Sequence, residues 1–172
     1  MKLDSLKDVF EEQLGDLYDA EQQLVQALPK MVSAAHSDDL RKAFQEHFQQ
    51  TQEHVTRLQE VMNHAPKTVP AETCKAMQGL IREGEEIIDA QGDGAALDVA
   101  LIAAAQRVEH YEIAGYGTAR TLADQLGYDD AEKLLDQTLD EEANADKLLT
   151  KLATGGIFRS GINEEAADKN GG

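Results

Sequence analysis

Several features are scarce in this sequence of 172 residues, and each scarcity excludes a class of protein. A single cysteine can form neither an internal disulfide nor a cysteine-based zinc cluster, which favours a reducing compartment. With only 3 prolines, no tryptophan and 5% aromatic residues, a β-sandwich or barrel is disfavoured and long helices are favoured. Basic residues are few as well, since 16 Lys and Arg face 33 Asp and Glu, and the formal charge of -17 disfavours binding to nucleic acid or anionic membranes.

Long apolar runs are also missing. No stretch approaches the roughly 18 uninterrupted apolar residues of a membrane span. The opening residues MKLDSLKDVF lack the apolar segment of a secretion signal. We therefore expect a soluble cytoplasmic protein without a membrane partner.

Apolar periodicity and capping residues predict five helical segments, at about residues 5–35, 37–63, 70–92, 93–126 and 129–153. Pro29 is expected to bend or interrupt the first segment. Short connections after the first and fourth segments predict two antiparallel hairpins, so the third segment becomes a crossover. This layout is that of an all-α, ferritin-like antiparallel four-helix bundle with an additional crossover helix, spanning residues 1–156. Residues 157–172 are expected to form a polar, disordered tail.

Ionisable residues occupy the apolar stripes of four predicted helices when each helix is projected at about 100° per residue. They lie near the middle of their helices, so an antiparallel bundle would bring them into one layer. The inward-facing groups are Glu21 on the first helix, His47 and His54 on the second with Gln50 at the stripe edge, Glu109 and Glu112 on the fourth, and Glu142 and Asp146 on the fifth.

A layer of converging carboxylates requires a positive counter-charge, because ionised acids are costly in a dry core and repel one another. The projection places no lysine or arginine in this layer, and only Arg107 and Arg120 reach its flanks. Carboxylates with one or two imidazoles suit iron or manganese better than an ion that prefers thiolates. The sequence therefore predicts bound metal, and two ions fit the number of ligands better than one.

The chain resembles the ferritin-like stress proteins YciE and YciF over residues 3 to about 153. The segments that carry the resemblance are DLYDAEQQL at 16–24, the run from His47 to Leu58, AAAQRVEHYEIAGYGT at 103–118, ADQLGY at 123–128 and LDEEANADKL at 139–148. The resemblance implies a dinuclear metal site. Its implied ligands are Glu21, Glu109, Glu112, Glu142 and Asp146.

The second helix departs from the family pattern, because many relatives carry Glu at position 50 and Gln at position 54. This chain has Gln50 and His54, which would exchange a carboxylate ligand for an imidazole. His54 is then either a ligand or a donor to a ligand, and His47 and Gln50 are outer contacts of the site. Tyr116 is a packing residue whose hydroxyl could donate to a ligand.

Three functions compete at this stage. The first is stress-related redox chemistry, in which a site holding two ions, iron before manganese or zinc, consumes Fe(II) and O2 or peroxide as a ferroxidase or peroxidase would. The second is an acidic helical interaction protein that metal stabilises without catalysis. The third is manganese-dependent peroxide disproportionation. A homodimer is also expected, because the long apolar arc of the fourth helix exceeds what one bundle core would use.

Overall fold

The structure, a computed structural model, describes residues 3–64, 73–156 and 159–168. Its helices are α1 (Leu6–Ala34), α2 (Asp38–His64), α3 (Lys75–Ile88), α4 (Gly94–Leu126), α5 (Asp129–Thr154) and α6 (Ile162–Asp168). Two strands of two residues each, β1 (Gly155–Gly156) and β2 (Arg159–Ser160), pair antiparallel between α5 and α6. The prediction of an all-α bundle is confirmed.

Helices α1, α2, α5 and α4 form a ring in which each helix runs antiparallel to its neighbours. Pairs at two heights give the direction. Between α1 and α4, His36 pairs with Asp98 and Glu21 with Tyr116, and between α2 and α5, His47 lies near Glu142 and Arg57 bonds Thr138. The short turns after α1 and α4 reverse the chain. The diagonal helices α2 and α4 are parallel, and they require a crossover that contains α3. Within the described residues, no helix is long and apolar enough to cross a membrane.

Local signals set the helix ends. Ser5 caps α1 by accepting a hydrogen bond from the Asp8 amide, and Asp93 caps α4 by accepting one from the Ala95 amide. Gly127 ends α4 in the left-handed conformation at φ 72°, which glycine adopts without steric cost. The predicted interruption at Pro29 is wrong, because α1 continues through it to Ala34, and the alternative of a bend stays a prediction.

The crossover helix is shorter than predicted. It begins at Lys75, after a cap by Cys74, and ends at Ile88 before the turn that contains Gly92. The predicted start at Pro70 lies outside the described residues. Helix α3 packs over α1 and α4, where Asp19 accepts a hydrogen bond from the Cys74 amide at 2.7 Å and Lys30 pairs with Glu85 at 2.6 Å.

The described part of the predicted tail is folded, which corrects the expectation of disorder for residues 159–168. Ile162 of α6 is buried in the same apolar cluster as Leu101 and Leu149. The burial of Ile162 attaches α6 to the bundle, and the polar composition of the segment does not reveal this contact. Residues 157–158 and 169–172 of the expected tail lie outside the described residues.

Two apolar clusters fill the two ends of the bundle. One surrounds Phe10, Leu58 and Leu135, and the other surrounds Met31, Phe44 and Leu149. Between these clusters, each of the four bundle helices contributes buried polar side chains. The apolar packing on either side thus encloses a polar layer at mid-height.

Candidate metal centre

Six ionisable side chains are buried in the middle layer of the bundle. Each of the four bundle helices contributes at least one of them from its inward face, where residues three or four positions apart lie together. They are Glu21, His47, His54, Glu109, Glu112 and Glu142, of which the most exposed, His47, retains 6% of its accessible surface.

These side chains form two overlapping groups. His47, Glu109, Glu112 and Glu142 present four ligand atoms within 4.8 Å of one another, and Glu21, His54 and Glu142 present three within the same limit. Ligand atoms on opposite sides of one ion with bonds of about 2.1 Å lie roughly 4.2 Å apart. Each group is therefore of the size that encloses one ion, and Glu142 belongs to both.

Both imidazoles lie close to carboxylates of the centre. His54 Nδ1 lies 2.9 Å from Glu142 Oε1 and 3.3 Å from Glu21 Oε1. His47 Nε2 lies 3.3 Å from Glu109 Oε1 and 3.8 Å from Glu142 Oε2. Both imidazoles thus face Glu142 from opposite sides.

Most of the inward-facing atoms have no hydrogen-bond partner, although they are buried. They comprise both oxygens of Glu112 and of Glu142, one oxygen each of Glu21 and Glu109, both ring nitrogens of His47, and Nδ1 of His54. A buried polar atom without a partner costs about 1–3 kcal/mol. Bound metal ions would satisfy the carboxylate oxygens and one nitrogen of each histidine, so the residues present fit the implied dinuclear group.

His54 is held from behind by a chain of charged groups. Its Nε2 lies 2.8 Å from Glu141 Oε2, and Arg57 donates to both oxygens of Glu141. Burial opposes ionisation of Glu141, but the hydrogen bonds from Arg57 and His54 outweigh it and lower the pKa of the carboxyl. An ionised carboxylate can only accept, so the proton of a neutral His54 sits on Nε2 and the Nδ1 lone pair faces Glu142 and Glu21.

Tyr116 supports the other end of the same group. Its hydroxyl donates to Glu21 Oε1 at 2.5 Å, and both side chains are fully buried. Burial and the nearby charge of Glu21 raise the pKa of Tyr116 well above its ordinary value. The phenol therefore stays protonated, fixing one oxygen of Glu21 and leaving the other free.

In the absence of metal, protons supply part of the positive charge that the layer needs. Burial and the neighbouring carboxylates raise the pKa values of Glu109 and Glu112 well above 4.5. Burial lowers the pKa of His54, but the close carboxylates of Glu142 and Glu21 outweigh it and raise the value to about 10. Burial disfavours ionised Glu142 too, yet the adjacent imidazoles of His47 and His54 lower its pKa to about 2.

The structure brings together five of the six residues predicted as ligands: Glu21, His54, Glu109, Glu112 and Glu142. It does not bring Asp146 to them. The Asp146 side chain is 21% exposed, and its Oδ1 accepts a hydrogen bond from Gln106 and lies 3.4 Å from His110 Nε2. Helical spacing puts Asp146 on the face of Glu142, but its carboxylate turns towards the α4–α5 seam, where polar partners are available.

The outer contacts also differ from expectation. His47 belongs to one of the ligand groups. Gln50 is half-buried and belongs to neither ligand group, but it borders a cavity beside the group that contains His47. The sequence prediction did not include the pair of Arg57 and Glu141. It also placed no basic residue in the layer, whereas Arg57 reaches the edge of the layer through its ion pair with Glu141. Two signals were available: Arg57 follows His54 by three residues on one helix face, and Glu141 adjoins Glu142.

Comparisons with known proteins agree on one family. The model of the family described as "Domain of unknown function (DUF892)" matches residues 5–167. Protein YciF of Escherichia coli strain K12 is 42% identical over 165 residues, which covers 95% of this chain and 99% of that protein.

Solved structures give the same result. The crystal structure of the E. coli stress protein YciF superposes with a TM-score of 0.85 at 44% identity, covering 87% of this chain and 95% of that one. YcfI from Rhodopseudomonas palustris superposes with a TM-score of 0.83 at 38% identity, covering 89% and 99%.

Proposed function

The chain belongs to the DUF892 family and is similar to the stress protein YciF over 95% of its length, and from this premise we propose that it is a dinuclear metal protein with redox activity. Its substrates would be Fe(II) together with O2 or peroxide, in a response to oxidative stress. The buried group of histidines and glutamates is able to hold metal. The number of ions, their identity and the reaction are the proposal.

One observation carries this proposal. Glu142 belongs to both ligand groups, and neither of its oxygens has a hydrogen-bond partner. A carboxylate with two free oxygens between two sets of ligands is suited to bridge two ions. Glu109 and Glu112 would complete the ligands on one side, and Glu21 on the other.

The donor set favours iron or manganese over metals that prefer thiolate. Carboxylate oxygens with imidazole nitrogens suit iron and manganese, and thiolate is absent from both groups. A pair of ferrous ions, when bound, supplies the two electrons that reduce hydrogen peroxide to water. The protein residues hold the ions apart from bulk water, and Tyr116 and Glu141 orient Glu21 and His54.

A second candidate is metal binding that stabilises the bundle without catalysis. It is favoured by the position of the centre, which joins all four bundle helices between two apolar clusters and has almost no exposed surface. Manganese-dependent peroxide disproportionation uses the same donors. Elemental analysis of the purified protein separates iron from manganese or zinc, and measured oxygen release identifies disproportionation.

The bridging role of Glu142 can be tested by counting bound metal in two isosteric variants. We expect Glu142→Gln to lose both ions, because both ligand groups lose their shared member. Glu21→Gln removes a ligand from one group and should retain one ion. Elemental analysis and a titration with Co²⁺ give the stoichiometry, and equal loss in both variants would contradict the bridge.

The redox reaction requires its own test. Anaerobic protein loaded with Fe(II) is mixed with O2 or peroxide in a stopped-flow spectrometer, and the oxidation rate is compared with that of Glu112→Ala. We expect the native chain to oxidise Fe(II) faster. Equal rates, with metal still raising the melting temperature of the native chain, would leave the stabilising role in place of the redox one.

A further inference from the structure

A cavity connects the protein surface between α2 and α5 with the buried ligand group of His47, and its lining mixes polar side chains with the apolar Phe44, Leu148 and Leu149. Its volume is about 120 Å³, and we call it the α2–α5 cavity. Exposed Glu46 and Asn144 stand at its mouth, half-buried Gln50 and Ala145 form its walls, and buried His47 and Glu109 lie at its inner end. A water molecule needs roughly 10–15 Å³ by the same measure, so the cavity has the volume to hold a partly hydrated ion.

The inner end of this cavity presents unpaired ligand atoms. His47 is almost fully buried, with only 6% of its surface exposed, and neither of its ring nitrogens has a hydrogen-bond partner. Glu109 Oε2 is also buried without a partner. The cavity therefore leads from solvent to atoms that are free to take up an ion.

A second cavity reaches the same two residues from the opposite side, but its lining is apolar. This apolar cleft lies between α1, α3 and α4, has a volume of about 40 Å³ and is lined by side chains such as Leu28, Met31, Ile81 and Val108. Besides His47 and Glu109, its charged side chains are Lys30 and Glu85, which pair with each other at 2.6 Å. A cation that loses hydration water therefore meets a lysine and an otherwise apolar lining, which is costly. The cleft is suited to a small apolar molecule and not to an ion.

The side chains of the α2–α5 cavity provide what the apolar cleft lacks. Gln50 and Asn144 offer amide oxygens along the wall and at the mouth. Glu46 adds negative charge at the mouth, where its carboxylate also pairs with the exposed Lys42 at 3.6 Å. Carboxylates at the mouth of a cavity raise the local concentration of cations and their association rate.

From this contrast we infer that the α2–α5 cavity is the access route by which divalent cations enter and leave the buried centre. The inference rests on the proposed metal site and adds a path and its controlling residues. Gln50 then has a role that helical projection did not assign, as a wall of the route. Glu46 attracts the ion, and His47 and Glu109 receive it.

Kinetics of Co²⁺ binding test the route in the full chain. Ala145→Leu narrows the α2–α5 cavity with a good helix former. Gly84→Leu is the matched control, because a Cβ at buried Gly84 meets no atom within 4 Å and the added side chain fills the apolar cleft. Association is followed by stopped-flow absorbance, dissociation by mixing loaded protein with excess EDTA, and affinity by calorimetry.

A route differs from a ligand in one respect, because a narrowed route slows entry and exit equally. We expect Ala145→Leu to lower both rate constants by the same factor, about tenfold, with an unchanged Kd. Gly84→Leu should keep native rates. The exposed variant Glu46→Gln should slow association about two- to fivefold at low ionic strength, with the difference disappearing in high salt.

Three results would overturn the inference. Native rates in both Ala145→Leu and Glu46→Gln exclude the α2–α5 cavity as the route. Slower exchange in Gly84→Leu alone assigns the ion to the apolar cleft. Failure of the native chain to bind Co²⁺ removes the metal site itself, and with it both proposals.

Discussion

At the scale of single residues, His54 has two nitrogens with different tasks. Nδ1 faces Glu142 and Glu21, while Nε2 is held by Glu141, which Arg57 holds in turn. Arg57 also donates to Thr138 at 2.6 Å, so the guanidinium is fixed by more than one partner. An imidazole held in this way keeps its lone pair aimed at the centre, as metal-binding histidines require.

Replacing Glu141 tests this arrangement. In Glu141→Gln the amide can donate to Nε2, which would place the imidazole proton on Nδ1, towards the metal. We expect the affinity for Co²⁺ to fall by about 10- to 100-fold, the range found when such supporting partners are lost. Competition calorimetry gives the affinity, and the visible spectrum of bound Co²⁺ reports the change of ligand.

Asp140→Asn is the matched control, because it removes the same charge from the exposed neighbour of Glu141. It should bind Co²⁺ as the native chain does. Equal affinities of Glu141→Gln and Asp140→Asn would show that Glu141 does not position His54.

At the scale of elements, a second buried acid holds the α1–α2 turn against α4. Asp98 lies on α4 with 2% exposure, and its two oxygens accept hydrogen bonds from the amides of His36 and Ser37 at 2.8 and 2.7 Å. The turn is thus fixed by a side chain from a third helix. A buried carboxylate with two amide partners needs no metal, which distinguishes Asp98 from the acids of the centre.

Asp98→Ala should lower the free energy of unfolding by about 1–3 kcal/mol, because two backbone amides lose their acceptor. Asp98→Asn keeps one acceptor oxygen and should lose about half as much. Urea unfolding measures both variants. Asp98 lies about 16 Å along α4 from Glu109, so both variants should bind as many metal ions as the native chain. A lower number of bound ions would contradict the separation of the α1–α2 turn from the metal centre.

At the scale of the whole molecule, the acidic composition has two components with different consequences. The formal charge of -17 counts every acid of the chain as ionised, whereas Glu21, Glu109, Glu112 and Glu142 are buried together in the centre. The apolar arc of α4, which suggested a homodimer, is covered in part by α3 and α6 within the chain. Ile102 of that arc is 2% exposed, and the homodimer stays a prediction.

The buried acids make the stability of the metal-free protein depend on pH. Groups whose pKa is raised by folding stabilise the fold below their unfolded pKa, and this stabilisation is lost as the pH rises towards the folded pKa. The loss begins above 4.5 for Glu109 and Glu112, and runs from 6.5 to about 10 for His54. Glu142 acts oppositely, but only below 4.5, where its contribution is lost as the pH falls towards about 2.

We therefore expect the melting temperature of the metal-free protein to fall as the pH rises from about 5 to about 9. Bound metal replaces the protons, so its stabilising effect should increase over the same range. Calorimetry with EDTA or with Co²⁺ measures both. Glu112→Gln removes one buried acid and should weaken the pH dependence of the melting temperature measured in EDTA. A melting temperature of the native chain that rises with pH would contradict the expected proton binding by the buried acids.

Much of the fold and part of the centre could be predicted from local sequence patterns. Caps and periodicity indicate the helices because they depend on neighbouring residues along one chain segment. The same periodicity indicates Glu21, Glu112 and Glu142 as inward acids, since a helix face is a property of spacing. Pro29 shows the limit even here, because packing of α1 outweighs the missing hydrogen bond.

By itself, therefore, the sequence determined the helical class, the order of the bundle helices and the presence of buried acids that need a counter-charge. Only the tertiary structure decided which atoms meet. It turned Asp146 towards Gln106, brought His47 into a ligand group and placed Glu141 behind His54. The reason is physical: spacing along a helix gives the direction of a side chain, but its rotamer and partners depend on the neighbouring helices that surround it.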